Sequence, residues 1–159
     1  MKEEKKKGIK DIIKSKLKKI SNIALIVDGS SIEKEDLITQ LKNIKKAIED
    51  VGKLRTSKIV VKTLPSEEEV KKIQKLGFEI IIRASETDVY FVLEAMELLY
   101  NPKIEAVAIS TRNEEFLQIL NKGREKGKKT ISINPSGSTI DTEMLKNLSD
   151  ITIDLNVTG

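Results

Sequence analysis

The sequence contains no cysteine, no histidine and no tryptophan. Without cysteine there can be no disulfide bond and no thiolate metal site. Without histidine the chain also lacks the commonest general base and the commonest transition-metal ligand. Acid–base or metal chemistry must therefore rely on carboxylates, hydroxyls, lysine or water. A bound metal is expected to be Mg²⁺ or Mn²⁺ rather than Zn²⁺, because only oxygen ligands are available.

Long apolar segments are missing as well. No stretch approaches the ~20 residues that a membrane-spanning helix needs. The N-terminus is basic but has no apolar segment of the kind found in signal peptides. The 159 residues amount to one domain, and 38% of them are hydrophobic, which is typical of a soluble globular protein. We therefore expect a cytoplasmic domain with no membrane partner.

Positive charge is concentrated at the N-terminus. The first 19 residues hold nine lysines and three acidic residues, a net charge of +6, whereas the rest of the chain holds 20 basic and 22 acidic residues. We call residues 1–20 the basic arm and residues 21–159 the domain. Apolar residues recur in the arm at helical spacing, namely Ile9, Ile12, Ile13, Leu17 and Ile20. This row favours an amphipathic helix that docks on the domain or on a partner, and binding to nucleic acid or to a membrane surface stays an alternative.

The domain alternates apolar, β-rich segments with amphipathic ones. Strands are predicted at residues 23–27, 58–62, 78–82, 104–109 and 129–133, with a further edge strand at 151–155. Helices are predicted at residues 32–51, 66–76, 88–100, 114–126 and 141–148, the first capped by Ser31 and ended by Gly52. Strands that alternate with helices imply right-handed crossovers. The sequence therefore predicts a three-layer α/β/α fold with a mainly parallel sheet.

Polar side chains follow the ends of the predicted strands, where open α/β sheets bind their ligands. Asp28 follows the first strand, Asp88 follows the third, and Asn113 and Glu115 follow the fourth. Carboxylates that converge repel one another unless a cation lies between them, which favours an Mg²⁺ site. Taken singly, each residue is better explained as a helix cap or as an acid in a first helical turn. Taken together, the structural and functional interpretations are balanced.

Four segments resemble the NYN domain of the PIN-like nuclease superfamily, and most closely its stand-alone prokaryotic members, especially the archaeal ones. They are residues 26–32 (IVDGSSI), 87–102 (TDVYFVLEAMELLYNP), 109–117 (ISTRNEEFL) and 127–133 (GKKTISI). The resemblance extends over about residues 22–154. It implies a five-stranded parallel sheet of order 3-2-1-4-5 and an Mg²⁺- or Mn²⁺-dependent site that cleaves RNA.

Within this resemblance, Asp28 matches the aspartate of the family pattern Val-Asp-Gly-x-Asn, and Asp88 matches the aspartate that opens the central helix. The asparagine of the first pattern falls on Ser31. The family pattern Arg-Asp-x-Asp-Phe is replaced by residues 112–116, where Asn113 and Glu115 stand for the two aspartates. The resemblance therefore implies Asp28, Asp88 and Glu115 as metal ligands, with Asn113 in the catalytic set. The site has one negative charge fewer than the family pattern.

Two functions remain open after the resemblance. The first is a metal-dependent ribonuclease that binds the RNA backbone through Ser31, Arg112, Lys16, Lys18 and Lys19. The second is a catalytically inactive domain that binds RNA or a protein partner. A homodimer formed through the apolar helix at residues 89–99 is a further alternative. Aromatic residues make up only 3% of the chain, which argues against recognition by base stacking.

Overall fold

The computed structural model describes residues 19–156, so that Lys16, Lys18 and most of the predicted arm helix lie outside the described residues. Within this range six strands and five helices alternate. The strands are β1 (Ile20–Asp28), β2 (Gly52–Val61), β3 (Phe78–Ile82), β4 (Ala106–Ser110), β5 (Lys129–Asn134) and β6 (Ile151–Asp154). The helices are α1 (Leu37–Glu49), α2 (Glu67–Lys75), α3 (Thr87–Leu99), α4 (Gln118–Glu125) and α5 (Thr142–Leu148).

All six strands are parallel and lie in the order β3-β2-β1-β4-β5-β6. This confirms the predicted α/β class and the order 3-2-1-4-5, and β6 forms the further edge strand. From β1, the strands β2 and β3 are added in turn on one side. The chain then crosses to the other side of β1, where β4, β5 and β6 are added in turn. Strand order therefore reverses between β1 and β4. We call the side of the sheet where the strands end the carboxyl edge, and the opposite side the amino edge.

Helices cover both faces of the sheet. On one face, α1 and α2 pack against one set of β1 side chains, as with Leu41 and Leu25. On the other face, α3, α4 and α5 pack against the alternate set, as with Phe91 and Ile26. Side chains of a strand alternate between the two faces, so a strand covered on both faces must be apolar throughout. Within residues 19–156, no helix has the length and apolar character that crossing a membrane requires.

Several element ends were predicted correctly. Ser66 and Glu69 form the predicted capping box at the start of α2. The helix stops before Gly77, whose φ of 91° lies in the left-handed region that favours glycine. β3 has the bounds that the sequence predicts.

The structure corrects the first predicted helix. Two 3-10 turns, Gly29–Ser31 and Lys34–Asp36, occupy its predicted start, and α1 begins only at Leu37. The Ser31 hydroxyl donates to the carboxylate of Asp28 instead of capping a helix.

Two further boundaries differ from the prediction. Gly52 opens β2, where a Cβ would collide with the backbone carbonyl oxygen of Ile20. The predicted fourth helix begins as a 3-10 turn, Glu114–Leu117, which continues into α4.

Candidate functional site

Asp28 is the last residue of β1 and lies at the carboxyl edge with only 3% of its surface exposed. Its Oδ1 accepts hydrogen bonds from the backbone N–H of Ser30 at 3.2 Å and from the Ser30 hydroxyl at 2.6 Å. Its Oδ2 accepts hydrogen bonds at 2.8 Å from the hydroxyls of Ser31 and Thr111. A carboxylate has about four lone-pair sites. The protein's own donors therefore saturate Asp28.

Gly29 allows the chain to turn tightly enough for this arrangement. A Cβ at Gly29 would lie 2.7 Å from the carbonyl oxygen of Val60 and 2.6 Å from Cγ1 of Val61. Any other residue would push the 3-10 turn away from β2. With glycine in place, the turn folds back so that Ser30 and Ser31 donate to the carboxylate that precedes them. The segment Asp28–Ser31 thus supplies three of the four hydrogen bonds by itself.

The fourth hydrogen bond crosses the point where strand order reverses. Thr111 follows β4 and is 1% exposed. Its hydroxyl donates to Asp28 and accepts from the backbone N–H of Asn113 at 3.0 Å. The Ser31 hydroxyl likewise donates to Asp28 and accepts from the backbone N–H of Arg112 at 2.8 Å. Asp28 therefore orients two hydroxyls, and those hydroxyls hold the turn that carries Arg112 and Asn113.

The side chains of Arg112 and Asn113 also have partners. One terminal nitrogen of Arg112 donates to the carbonyl oxygen of Ser136 at 2.6 Å, and the other lies 4.0 Å from a carboxylate oxygen of Glu33. Its Nε is buried without a hydrogen-bond partner among the described residues. Asn113 accepts a hydrogen bond from the backbone N–H of Glu115 and so caps the 3-10 turn. Arg112 consequently joins the turns that follow β4 and β5.

Asp88 and Glu115 lie in a different environment. Both are exposed, Asp88 in the first turn of α3 and Glu115 in the 3-10 turn before α4. Acidic residues at such positions interact favourably with the helix dipole. Among residues 19–156, no three His, Cys, Asp or Glu side chains form a group that could hold a metal ion. The carboxyl edge thus carries Asp28, Asp88 and Glu115 without gathering them into one ligand shell.

This arrangement does not fit a preformed site for a divalent cation. Mg²⁺ demands nearly octahedral oxygen coordination and binds through carboxylates that offer it lone pairs. At Asp28 those lone pairs accept hydrogen bonds from Ser30, Ser31 and Thr111. Oxygen atoms of the kind that bind Mg²⁺ are present at the carboxyl edge. The most central of them, those of the Asp28 carboxylate, already accept four hydrogen bonds from the protein.

Lys19 lies far from these residues. It is exposed at the start of β1, on the amino edge, whereas Asp28 ends the same strand on the carboxyl edge. Nine residues of β-strand span roughly 30 Å. Of the five residues predicted to bind nucleic acid, the structure describes Ser31, Arg112 and Lys19, and it brings Ser31 and Arg112 together.

Ser30 and Thr111 are residues of the site that the sequence places at strand ends but that were not predicted to belong to the site. They supply three of the four hydrogen bonds to Asp28. Both stand at the ends of predicted strands, which was the available signal. The sequence does not show that the two hydroxyls point at one carboxylate, because Thr111 is 83 positions away from Asp28.

Comparison with known proteins identifies a family and a relative of this chain. The model of the NYN domain matches residues 22–156. An uncharacterized protein of Methanocaldococcus jannaschii is 31% identical over 133 residues, which cover 82% of this chain and 54% of that protein. The chain therefore spans about half the length of this relative.

Two of the solved structures that the chain matches have low sequence identity and low TM-scores. A levoglucosan dehydrogenase in complex with NADH has 17% identity and a TM-score of 0.38, over 70% of this chain and 27% of that one. An oxidoreductase from Sinorhizobium meliloti has 21% identity and a TM-score of 0.42, over 84% of this chain and 36% of that one.

Proposed function

The chain belongs to the NYN domain family of PIN-like proteins, and from this premise we propose that it binds RNA and that Asp28 holds the site together instead of ligating a metal. The saturation of Asp28 by four hydrogen bonds carries the structural role proposed for this residue, and the family supports RNA binding. A carboxylate that ligates Mg²⁺ must give up such partners. Here two of those partners, the hydroxyls of Ser31 and Thr111, also hold the turn that follows β4.

The basic arm and Arg112 are the proposed RNA contacts. Attraction to the RNA backbone depends on lysine and arginine, because bound phosphates release condensed cations. The chain after residue 19 holds more acidic than basic residues, and the arm holds a net charge of +6. Lys16, Lys18 and Lys19 therefore supply part of a positive charge that attracts RNA phosphates, whereas the rest of the chain has a net negative charge. Ser31 acts indirectly, since its hydroxyl accepts a hydrogen bond from the backbone N–H of Arg112.

A second candidate is an Mg²⁺- or Mn²⁺-dependent ribonuclease, which one observation favours. Exposed carboxylates of Asp88, Glu114 and Glu115 lie on the same edge as Asp28. In this candidate Asp28, Asp88 and Glu115 would be the ligands, and Asn113 would belong to the catalytic set. The metal would supply a bound water of lowered pKa. Binding it at Asp28 requires Ser31 and Thr111 to release that carboxylate.

A single comparison separates the two candidates. Labelled single-stranded RNA is incubated with the full chain in Mn²⁺ or in EDTA, beside an Asp88→Asn variant. Asp88 is chosen because it is exposed, so its replacement should leave the fold intact. We expect RNA binding in both conditions and no Mn²⁺-dependent cleavage above that of the variant.

Two results would contradict the proposal. Cleavage that requires Mn²⁺ and disappears in Asp88→Asn would establish the ribonuclease. Failure of the full chain to bind RNA at low salt in either condition would refute RNA binding.

A further inference from the structure

Helix α3 presents an apolar face to solvent. Val89 and Leu93 are each 56% exposed and Tyr100, just after the helix, is 57% exposed. With the half-buried Met96 they are spaced three or four residues apart, so they lie on one side of the helix. The exposed Ile82 ends the strand that leads into α3. Among the large apolar side chains that are exposed in residues 19–156, Leu64 alone lies elsewhere.

The charges on α3 are all of one sign. Its sequence holds Asp88, Glu94 and Glu97, with no lysine or arginine. Glu94 pairs with Lys58 of β2 at 3.0 Å. Asp88 and Glu97 are exposed, as is Glu86 just before the helix. An apolar face that carboxylates border is complementary to a segment that is apolar on one side and basic around it.

Two cations from neighbouring elements lie over tyrosine rings near this helix, in addition to Lys58, which pairs with Glu94. Arg83 lies 4.6 Å from the ring centroid of Tyr90, and Lys126 lies 4.6 Å from that of Tyr100. Val89, Leu93 and Met96 lie between these rings along the helix. The middle of the apolar face is thus bordered by carboxylates.

The basic arm has the complementary composition. Its apolar residues Ile9, Ile12, Ile13 and Leu17 recur at helical spacing, and nine lysines surround them. As a helix, 18 residues would extend roughly 27 Å, compared with roughly 20 Å for the 13 residues of α3. The arm is therefore long enough to cover the whole face.

The arm also joins the domain at the edge where α3 ends. The backbone N–H of Glu105 donates to the carbonyl oxygen of Asn22, three residues after Lys19, at 2.9 Å. Glu105 in turn follows the short loop after α3. In that loop the backbone N–H of Ile104 donates to the carbonyl oxygen of Asn101 at 3.1 Å. The start of β1 and the end of α3 therefore meet at the amino edge.

We propose that the basic arm docks on the outer face of α3 in its own chain. Its isoleucine row packs against Val89, Leu93 and Met96, while its lysines face the carboxylates that border them. The arm runs from the amino edge toward the carboxyl edge. Its first lysines then lie beside Glu86 and Asp88. This docking does not depend on RNA binding.

Because the chain has no cysteine, an engineered disulfide can report the docking. Mild oxidation of the Ile13→Cys/Leu93→Cys variant is expected to give an internally linked monomer that migrates faster on a non-reducing gel. The control is Ile13→Cys/Lys42→Cys, since Lys42 is exposed on α1 at the other face of the sheet. That pair is expected to stay largely unlinked. Covalent dimers of the first variant would show that a second copy covers the face, and equal linkage of both variants would show an undocked arm; either result overturns the proposal.

Limited proteolysis tests the same contact without cysteines. The Leu93→Ser substitution is expected to speed tryptic cleavage at the arm lysines about tenfold, because removing one buried leucine side chain weakens the docking by that order. The control is Leu64→Ser, which alters a residue that is 66% exposed outside α3. Cleavage rates that are equal in Leu93→Ser, Leu64→Ser and the unaltered chain would overturn the docking.

Discussion

Asp28 is a buried carboxylate whose partners are three hydroxyls and one backbone amide. A buried charge is costly unless hydrogen bonds replace its lost water. Two of these hydroxyls, those of Ser31 and Thr111, also accept hydrogen bonds from backbone N–H groups in the turn after β4. The charge of Asp28 thereby fixes which way both hydroxyls point. Asp28 thus links the end of β1 to the turn after β4, at the point where strand order reverses.

Replacing Asp28 with alanine tests this structural role. The Asp28→Ala variant is expected to lower the free energy of unfolding by about 3 kcal/mol, because the buried hydroxyls of Ser31 and Thr111 lose their acceptor. Urea denaturation in EDTA measures the change. Asp88→Ala, at an exposed position, is the control and is expected to stay within about 0.5 kcal/mol of the unaltered chain. An Asp28→Ala variant of unchanged stability would show that this carboxylate does not hold the site together.

The position of each acidic residue at the site was predictable from the sequence, but its hydrogen bonds were not. The position of Asp28 follows from its place after an apolar strand, and the exposure of Asp88 and Glu115 agrees with their interpretation as acids in first turns. The hydrogen bonds to Asp28 depend on side-chain orientations across the reversal point. Periodicity predicts which residues reach an edge, but it does not predict which hydroxyls share one acceptor there.

At the scale of elements, Lys58 and Glu94 join β2 to α3. Their side chains are 13% and 19% exposed, and the Nζ–Oε2 distance is 3.0 Å. Burial alone would lower the pKa of Lys58. The hydrogen bond and charge of Glu94, helped by Glu79 and Glu97, outweigh burial and hold this pKa above its ordinary value of 10.5. The stabilisation is therefore fully present below the unfolded-state pKa and is lost as the pH rises through the folded-state pKa.

The Lys58→Met substitution is expected to destabilise the protein by about 2 kcal/mol at pH 7, because it leaves Glu94 partly buried without its cation. The difference from the unaltered chain should shrink above pH ~10.5, where lysine loses its charge. Denaturant titrations at pH 7 and at pH 11 measure it. Lys58→Met/Glu94→Leu is the matched variant and should recover much of the loss, since an apolar pair can replace a buried ion pair. A deficit that is equal at both pH values would rule out the ion pair as its source.

The capping box of α2 gives a second prediction for an element. The Ser66 hydroxyl accepts a hydrogen bond from the backbone N–H of Glu69, and the Glu69 carboxylate accepts one from that of Ser66. Ser66→Ala is expected to cost about 1 kcal/mol of unfolding free energy. Ser85→Ala, at an exposed loop position, provides the control in the same urea titration. Equal stability of the two variants would mean that the cap contributes nothing measurable.

Elements were predictable to the extent that local chemistry determines them. α2 has a capping box and a terminal glycine, and its predicted bounds hold closely. The first part of β2 was missed because Lys53 and Arg55 interrupt its apolar pattern and are exposed. The start of α1 was misplaced because Ser31 is also a good N-cap residue. Its hydroxyl instead serves the tertiary contact with Asp28.

At the scale of the whole molecule, the basic arm that we propose to bind RNA and the candidate site are separated along the chain. The net charge of +6 lies in the first 19 residues. That segment joins β1 at the amino edge, whereas Asp28 and Arg112 lie at the carboxyl edge. Docking along α3 would carry the arm lysines back toward the carboxyl edge. In the docked arm, the lysines that do not face the carboxylates of α3 would stay available to the RNA backbone.

The salt dependence of RNA binding tests the contribution of the arm. Replacing Lys14, Lys16 and Lys18 with glutamine keeps the isoleucine row but removes three positive charges. For single-stranded RNA, the slope of log affinity against log salt concentration changes by about 0.7 for each phosphate that the protein no longer neutralises. We therefore expect the slope to become shallower by about 2 if all three lysines bind phosphates. Filter binding over a range of salt concentrations measures the slope.

The matched control removes the same charge from another surface. Lys42, Lys45 and Lys46 lie on α1, across the sheet from α3. Their replacement by glutamine changes the net charge equally, so its effect on the slope reports non-specific attraction alone. If RNA follows the arm, the first triple variant flattens the slope and the second leaves it nearly unchanged. Equal flattening in both would mean that RNA responds to net charge, and an unchanged slope in the first would show that these three lysines do not bind the RNA backbone.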